Sequence, residues 1–392
     1  MKKSFRNLFI IAAISTFMMI GLVGCAETEE PEVQVPIQAE TAPTPEPEPD
    51  PLYPIEDCYD CDCSGDCHLE ECDCFEHYNG PMEDNGSDVN SDIHGAITRI
   101  EYGDNVVYLF GSIHGGRPEW YPLAEIVENA LNRADVVASE VGNISEEVIS
   151  TTALEFIMLP DGQTWIEFLP QEAYEHMVEV SAAWDLVYEE VNTLHPSFLI
   201  SSIEMQFAVA MTDNFDLGGL AGDISVDGYV MGRALERGIP IIGLESIEQQ
   251  LEILYQPPMD VMIEQIMYFF LTPEEMAAYM EQAISLSEMA EWYERNDFDT
   301  LNERMHEAFF DDDGVLIESL YLDYFIEMTM NWRSIYYANE IARLLQETEE
   351  PTTFFVVVGL THVIRSSIGE GFTDIVEQLE LLGFDTVRLV NS

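Results

Sequence analysis

Val106 to His114 reads VVYLFGSIH, and near the other end of the chain Phe354 to His362 reads FFVVVGLTH. Each is a run of β-branched and aromatic residues of the kind that forms a short, fully buried strand. Each run stops at a glycine, Gly111 or Gly359, and a histidine follows three positions later, His114 or His362. The glycine permits a sharp turn, and a side chain just past the carboxyl end of a strand faces the crevice where open α/β sheets bind ligands. One such histidine is readily explained as a strand cap. The same arrangement twice in one chain is not.

Both copies continue alike. After His114 a helical stretch around Leu123 to Arg133 leads into Ala134-Asp135-Val136-Val137-Ala138-Ser139-Glu140. After His362 a helical stretch around Glu370 to Leu382 leads into Gly383-Phe384-Asp385-Thr386-Val387-Arg388-Leu389. The fold expected is mixed α/β, with a central sheet made from two similar β-GxxH-α-β units, one at each end of the domain, and helical insertions between them. Ala96 to Tyr102 alternates like a strand, and Gly103-Asp104-Asn105 turns it into the Val106 run. Ser145 to Leu217 reads as mostly helical, with Trp165, Phe168, Met177, Trp184 and Phe207 available for a core; His176 and His195 within it read as ordinary histidines. Ser225 to Gly238 reads as a helix with glycine as its stop. Ile239-Pro240-Ile241-Ile242-Gly243-Leu244-Glu245 is a further short strand ending in a carboxylate, and Tyr321 to Leu345 reads as one long helix.

The chain has 392 residues, 47% of them apolar, which is enough for a sizeable core. Its 75 acidic residues face only 14 basic ones, for a net charge of -61. Such a surface repels phosphate backbones, which argues against nucleic acid as a partner. It favours cationic ligands, metal ions or a saline medium. Lys2 and Lys3 are the only lysines, and they lie with Arg6 in a basic start that precedes an apolar run from Leu8 to Val23. The run is short for a membrane span and reads as an export signal. Its end, Leu22-Val23-Gly24-Cys25, resembles a bacterial lipobox, which implies cleavage before Cys25 and a lipid on its sulfur, holding the protein on the extracytoplasmic face of the membrane.

The division expected is a signal peptide over residues 1–24, an acidic proline-rich tether over 25–57, a cysteine-rich acidic segment and linker over 58–94, and the folded domain over 95–392. Cys58, Cys61, Cys63, Cys67, Cys72 and Cys74 are interleaved with carboxylates. Outside the cytoplasm such a cluster forms disulfides; with its thiols reduced, the same spacing suits a soft or borderline metal ion. Both readings stay open.

Four short strands thus end in His114, Glu140, Glu245 and His362. Imidazoles and carboxylates of this kind make a ligand set for a catalytic divalent ion such as Mn, Co or Zn, with positions left for water. Such an ion activates its water and polarises a carbonyl, and a neighbouring glutamate can serve as general base. Glu140, at the end of an apolar strand, needs a cationic partner if it is buried.

Taken together, Gly111-Ser112-Ile113-His114, the Ala134 to Glu140 run, Val226-Asp227-Gly228-Tyr229 leading to Gly243-Leu244-Glu245-Ser246 and Gln250, and Gly359-Leu360-Thr361-His362 resemble the TraB/GumN family, over about Gly95 to Leu389. That family includes membrane-associated metal-dependent proteases in which paired GxxH motifs and a glutamate carry the chemistry. The resemblance implies His114, His362 and Glu140 as metal and catalytic residues. Members commonly carry an Arg-Asn pair in the last long helix, where this chain has Met330-Asn331-Trp332-Arg333. The resemblance places Asn331 among the catalytic residues, and Arg333, Arg365 and Asp227 among those contacting a peptide or protein substrate. An arginine two residues from its usual place points about 200° away on a regular helix. The expected function is that of a lipid-anchored extracytoplasmic metal-dependent hydrolase, with a peptide as substrate. The alternative is a protein that sequesters a peptide, a metal or haem in the same crevice without turnover; a third reading makes the cysteine cluster the working part.

Overall fold

The computed structural model describes residues 92–389 apart from 145, 211–224, 271, 281–284, 312, 365–367 and 370. The expected export signal, Cys25, the tether, the six clustered cysteines and Arg365 lie outside the described residues. Among the described residues no helix is long and apolar enough to cross a membrane.

Strands β1 (Ala96–Tyr102) and β2 (Asn105–Ser112) form the expected antiparallel hairpin, with Ile97 opposite Phe110 and Tyr102 opposite Asn105. Helix α1 (Glu125–Asn132) then leads to β3 (Val136–Ser139). After the helical insertion come α2 (Val226–Glu236), β4 (Ile241–Gly243) and α3 (Ile247–Tyr255). The chain ends through α4 (Arg333–Glu347), β5 (Thr353–Gly359), α5 (Thr361–Ile364), α6 (Ile375–Leu381) and β6 (Thr386–Leu389). The sheet order is β4-β3-β5-β2-β1-β6. Strands β4, β3, β5 and β2 are mutually parallel, while β1 runs antiparallel to both β2 and β6.

The two motif units interleave, because β5 inserts between β2 and β3. Ser112 is in register with Gly359, and the Leu360 N–H donates to the Ser112 carbonyl at 2.7 Å. The two GxxH turns therefore leave the sheet side by side. The composition of β5 requires this central place: Phe354, Phe355, Val356, Val357 and Val358 are all buried, and an apolar run without alternation needs cover on both faces. Part of that cover is α4, whose Tyr337, Ala338, Ile341, Leu344 and Leu345 recur at helical spacing and sink into the core.

The long helix expected over Tyr321 to Leu345 is present but not regular. Leu320–Tyr324 is α-helical, Phe325–Trp332 is π-helical, and α4 follows without a break. A π-turn closes one residue later than an α-turn, so the stretch resets the phase of every side chain beyond it. In the helical insertion a second apolar cluster forms around Trp165 and Met177, with Phe168 and Trp184 packed at its margin.

One buried group in that insertion contributes to the pH response of the fold. Glu204, on helix Pro196–Ala210, is buried, and its Oε2 has no hydrogen-bond partner among the described residues. Burial pushes its carboxyl from 4.5 up to about 8. The folded state thus binds the proton more tightly than the unfolded chain, so the associated stability is complete below pH 4.5 and is lost as the pH rises through 8. Glu204→Gln keeps the shape and removes the charge. It is expected to raise Tm at pH 8 by roughly 5 °C and to leave Tm at pH 4.5 nearly unchanged; an unaltered slope of Tm against pH would refute this account.

Candidate active site

All four strands that carry candidate groups are parallel, so their carboxyl ends share one edge of the sheet. Across that edge the order is Glu245 after β4, Glu140 after β3, His362 in the first turn after β5, and His114 after β2. The ladder continues past β3 and β4, with Leu244 N–H donating to Ser139 and Glu245 N–H to Glu140, at 2.9 and 2.8 Å. This holds the two glutamates next to each other. Gly142, with φ of +72°, lets the chain turn where a Cβ would come within 2.6 Å of the Gly243 nitrogen.

Asp227 lies in the first turn of α2, a helix capped by the Ser225 hydroxyl, and the Val226 N–H donates to the Gly115 carbonyl just beyond His114. That tie brings the Asp227 carboxylate onto the His114 ring. Its Oδ2 is 2.8 Å from His114 Nδ1, and its Oδ1 accepts from Ser112 Oγ at 2.5 Å. Burial by itself would depress the His114 imidazole; the Asp227 carboxylate outweighs it, with a smaller contribution from Glu140, and the ring rises to about 9. His114 Nε2 is buried and has no partner among the described residues. His362 is held through its other ring nitrogen in the same manner, with Nδ1 2.8 Å from Ser334 Oγ and the Tyr337 ring edge-on at 5.3 Å.

Glu140 supplies the centre. Its Oε1 accepts from the Gly359 N–H at 2.9 Å, and its Oε2 accepts from Arg333 Nη2 at 2.7 Å and Gln250 Nε2 at 3.1 Å. Burial pushes this carboxyl up, but Arg333, His114 and His362 act on it together and hold it below the usual carboxylate range. The same Arg333 Nη2 donates to Glu245 Oε1 at 2.6 Å, and Tyr337 donates to that oxygen at 2.6 Å. Burial raises the Glu245 carboxyl against the pull of Arg333. Arg333 is fully buried; desolvation works against its charge, but Glu245, Tyr337 and Glu140 hold it firmly protonated.

The sequence expectations for the last helix change in two places. Asn331, expected among the catalytic residues, faces away: its amide donates to the Gly371 carbonyl at 2.7 Å and its Oδ1 accepts from the Thr373 N–H at 3.1 Å. It staples the helix to the loop before α6. Arg333 is the residue that faces the crevice, and its neighbour Ser334 contacts His362. The arginine of this helix that meets the two glutamates is thus Arg333, two residues beyond Asn331. Asp227, expected to contact substrate, instead orients His114.

Sequence reasoning missed Ser334 and Tyr337. An arginine carried inward on a helix needs a partner one turn on, and Tyr337 stands four residues after Arg333; that was the available signal. Ser112 and Gln250 were visible only as letters of motifs.

Whether these residues suit a divalent ion turns on the donor set. Two imidazoles, each with Nδ1 held by a side chain, match the way metal-bound histidines are oriented, and the partnerless His114 Nε2 is a donor atom in want of a ligand. Glu245 is engaged by Arg333 and Tyr337, which takes it out of the set. Among the described residues no three His, Cys, Asp or Glu side chains are already grouped around one point, so Glu140 would exchange one of its hydrogen bonds for the ion. The set that fits is His114, His362 and Glu140.

Four parallel strands of a mixed sheet deliver two oriented histidines beside an arginine-bound glutamate, at the edge where open α/β sheets bind ligands. The chain belongs to the TraB/PrgY/gumN family, whose family model matches residues 96–378. No curated protein and no solved structure matches the chain.

Proposed function

We propose that this crevice is the centre of a metal-dependent hydrolase that cuts peptide bonds, in a chain anchored through lipid on Cys25 at the extracytoplasmic face of the membrane. The observation that carries the reading is His114: a buried imidazole whose Nδ1 is fixed on a carboxylate and whose Nε2 has no hydrogen-bond partner among the described residues. The large majority of buried polar side-chain atoms are hydrogen-bonded, so an orphaned nitrogen on an oriented ring asks for a ligand.

His114, His362 and Glu140 would hold a Mn, Co or Zn ion, which supplies a Lewis acid for the carbonyl and a more acidic water. Asp227 and Ser334 keep the Nε2 atoms of the two histidines turned inward. Glu140, ionised at neutral pH, takes a proton from water as the water oxygen bonds to the carbonyl carbon; the C–N bond then breaks and the proton passes to the departing amine. Arg333 Nη1, buried without a partner among the described residues, is available to the oxygen on which charge develops.

The test uses the purified protein, stripped of metal and then given Mn, Co or Zn singly, against a mixed peptide pool. Metal-dependent cleavage that disappears in His114→Ala and in His362→Ala is the expected result. Tight metal or peptide binding with no cleavage under any condition replaces the hydrolase with the sequestering protein. The intact mass of the membrane-extracted protein reads the lipid directly.

A further inference from the structure

Gln250 holds the least expected atom in the crevice. Its Nε2 donates to Glu140 Oε2 at 3.1 Å, while its Oε1 is buried without a partner among the described residues. The two ends of a glutamine amide are usually interchangeable in assignment. Here they are not, because turning the amide over would set a carbonyl oxygen against a carboxylate. The orphan is therefore an acceptor. Leaving it unmet costs about 1–3 kcal/mol, and it is fixed in place by the capping box of α3, where Ser246 and Gln249 lock the first turn.

A further orphan shares this crevice, and it is a donor: Arg333 Nη1, buried without a partner among the described residues. Arg333 and Gln250 meet on the same Glu140 oxygen. One donor and one acceptor beside one carboxylate are the complement of a group with a carbonyl oxygen and an N–H, which is a secondary amide. An ester offers the carbonyl but not the N–H.

We propose that Gln250 is the specificity-determining residue of this crevice, its Oε1 accepting an N–H of the bound substrate, so that the site takes backbone amides in preference to the matching esters. The inference rests on the proposed function for its location but not for its chemistry. A site that hydrogen-bonds a ligand N–H rejects an analogue lacking it more strongly than an apolar pocket rejects a missing methylene.

The probes are a mixed-sequence tetrapeptide library and the same library with ester oxygens in place of the backbone N–H groups. Both are offered to the metal-loaded protein, with cleavage read by product mass and binding by equilibrium dialysis. The wild-type protein is expected to favour the amide library by at least ~10-fold, and Gln250→Met to bring the ratio near one. A ratio of one in the wild type, or a ratio that survives in Gln250→Met, overturns the proposal. Should Gln250→Met fail to fold, the wild-type ratio decides alone. Amide-selective binding without cleavage removes the hydrolase and leaves Gln250 its role; cleavage without amide preference does the reverse. A protein that neither binds nor cuts either library counts against both.

Discussion

Arg333→Met is expected to destabilise the domain by about 3–5 kcal/mol, the cost of leaving buried charges without their partner. Domains of ordinary stability have only about 5–15 kcal/mol in total, so the variant sits close to unfolding at room temperature. The size follows from the geometry: one guanidinium nitrogen contacts Glu140 at 2.7 Å and Glu245 at 2.6 Å, and nothing among the described residues stands ready to replace it. With the cation gone, the Glu140 carboxyl rises from below its usual range and the Glu245 carboxyl, already raised by burial, rises further. Their folded forms then hold protons that the unfolded chain releases, so the variant is most stable in acid and loses stability as the pH rises. Urea titration at two pH values reads this. The double variant Arg333→Met with Glu245→Gln should recover much of the loss, because only one buried carboxyl then lacks a counter-charge. A single variant within 1 kcal/mol of wild type would show that the buried carboxylates do not depend on Arg333 for their compensation.

Glu140→Gln is the change expected to separate chemistry from fold. The amide still accepts the Gly359 N–H, and Arg333 keeps Glu245, so the domain folds. Its NH2 end meets the N–H groups of Gln250 and Arg333, which costs about 1–3 kcal/mol. Turnover, by contrast, loses its proton acceptor. A general base contributes typically 10²–10⁴-fold, and a fall in kcat of at least that order is the expected result, because Glu140 is also one of the groups that would hold the ion; metal content measured on the same sample separates the two losses. Activity within tenfold of wild type in a protein with normal metal content would assign the proton transfer to another group.

The family, the mixed α/β class and the candidate quartet were legible in the residues alone, and the reason is local. A strand that needs cover on both faces must be an unbroken apolar run, as Val106 to Phe110 and Phe354 to Val358 are, and a glycine-histidine turn at the end of each can be read without any partner in view. What that reading could not supply was strand order. The interleaving of β5 between β2 and β3 depends on which apolar faces find each other, a non-local matter, and it alone puts Gly359 beside Ser112 and the two histidines on one edge.

The same limit explains Arg333. Counting along a regular helix from Asn331 turns it away, and the sense of that count held: the two residues do face opposite ways. Which of them faces inward depended on the π-helical stretch from Phe325 to Trp332 and on two carboxylates, from strands nearly 90 and nearly 200 residues distant, that required one cation between them. Sequence fixes what each element must bury. Only packing fixes which charges are buried together, because their compensation is a property of the pair and appears in neither segment alone.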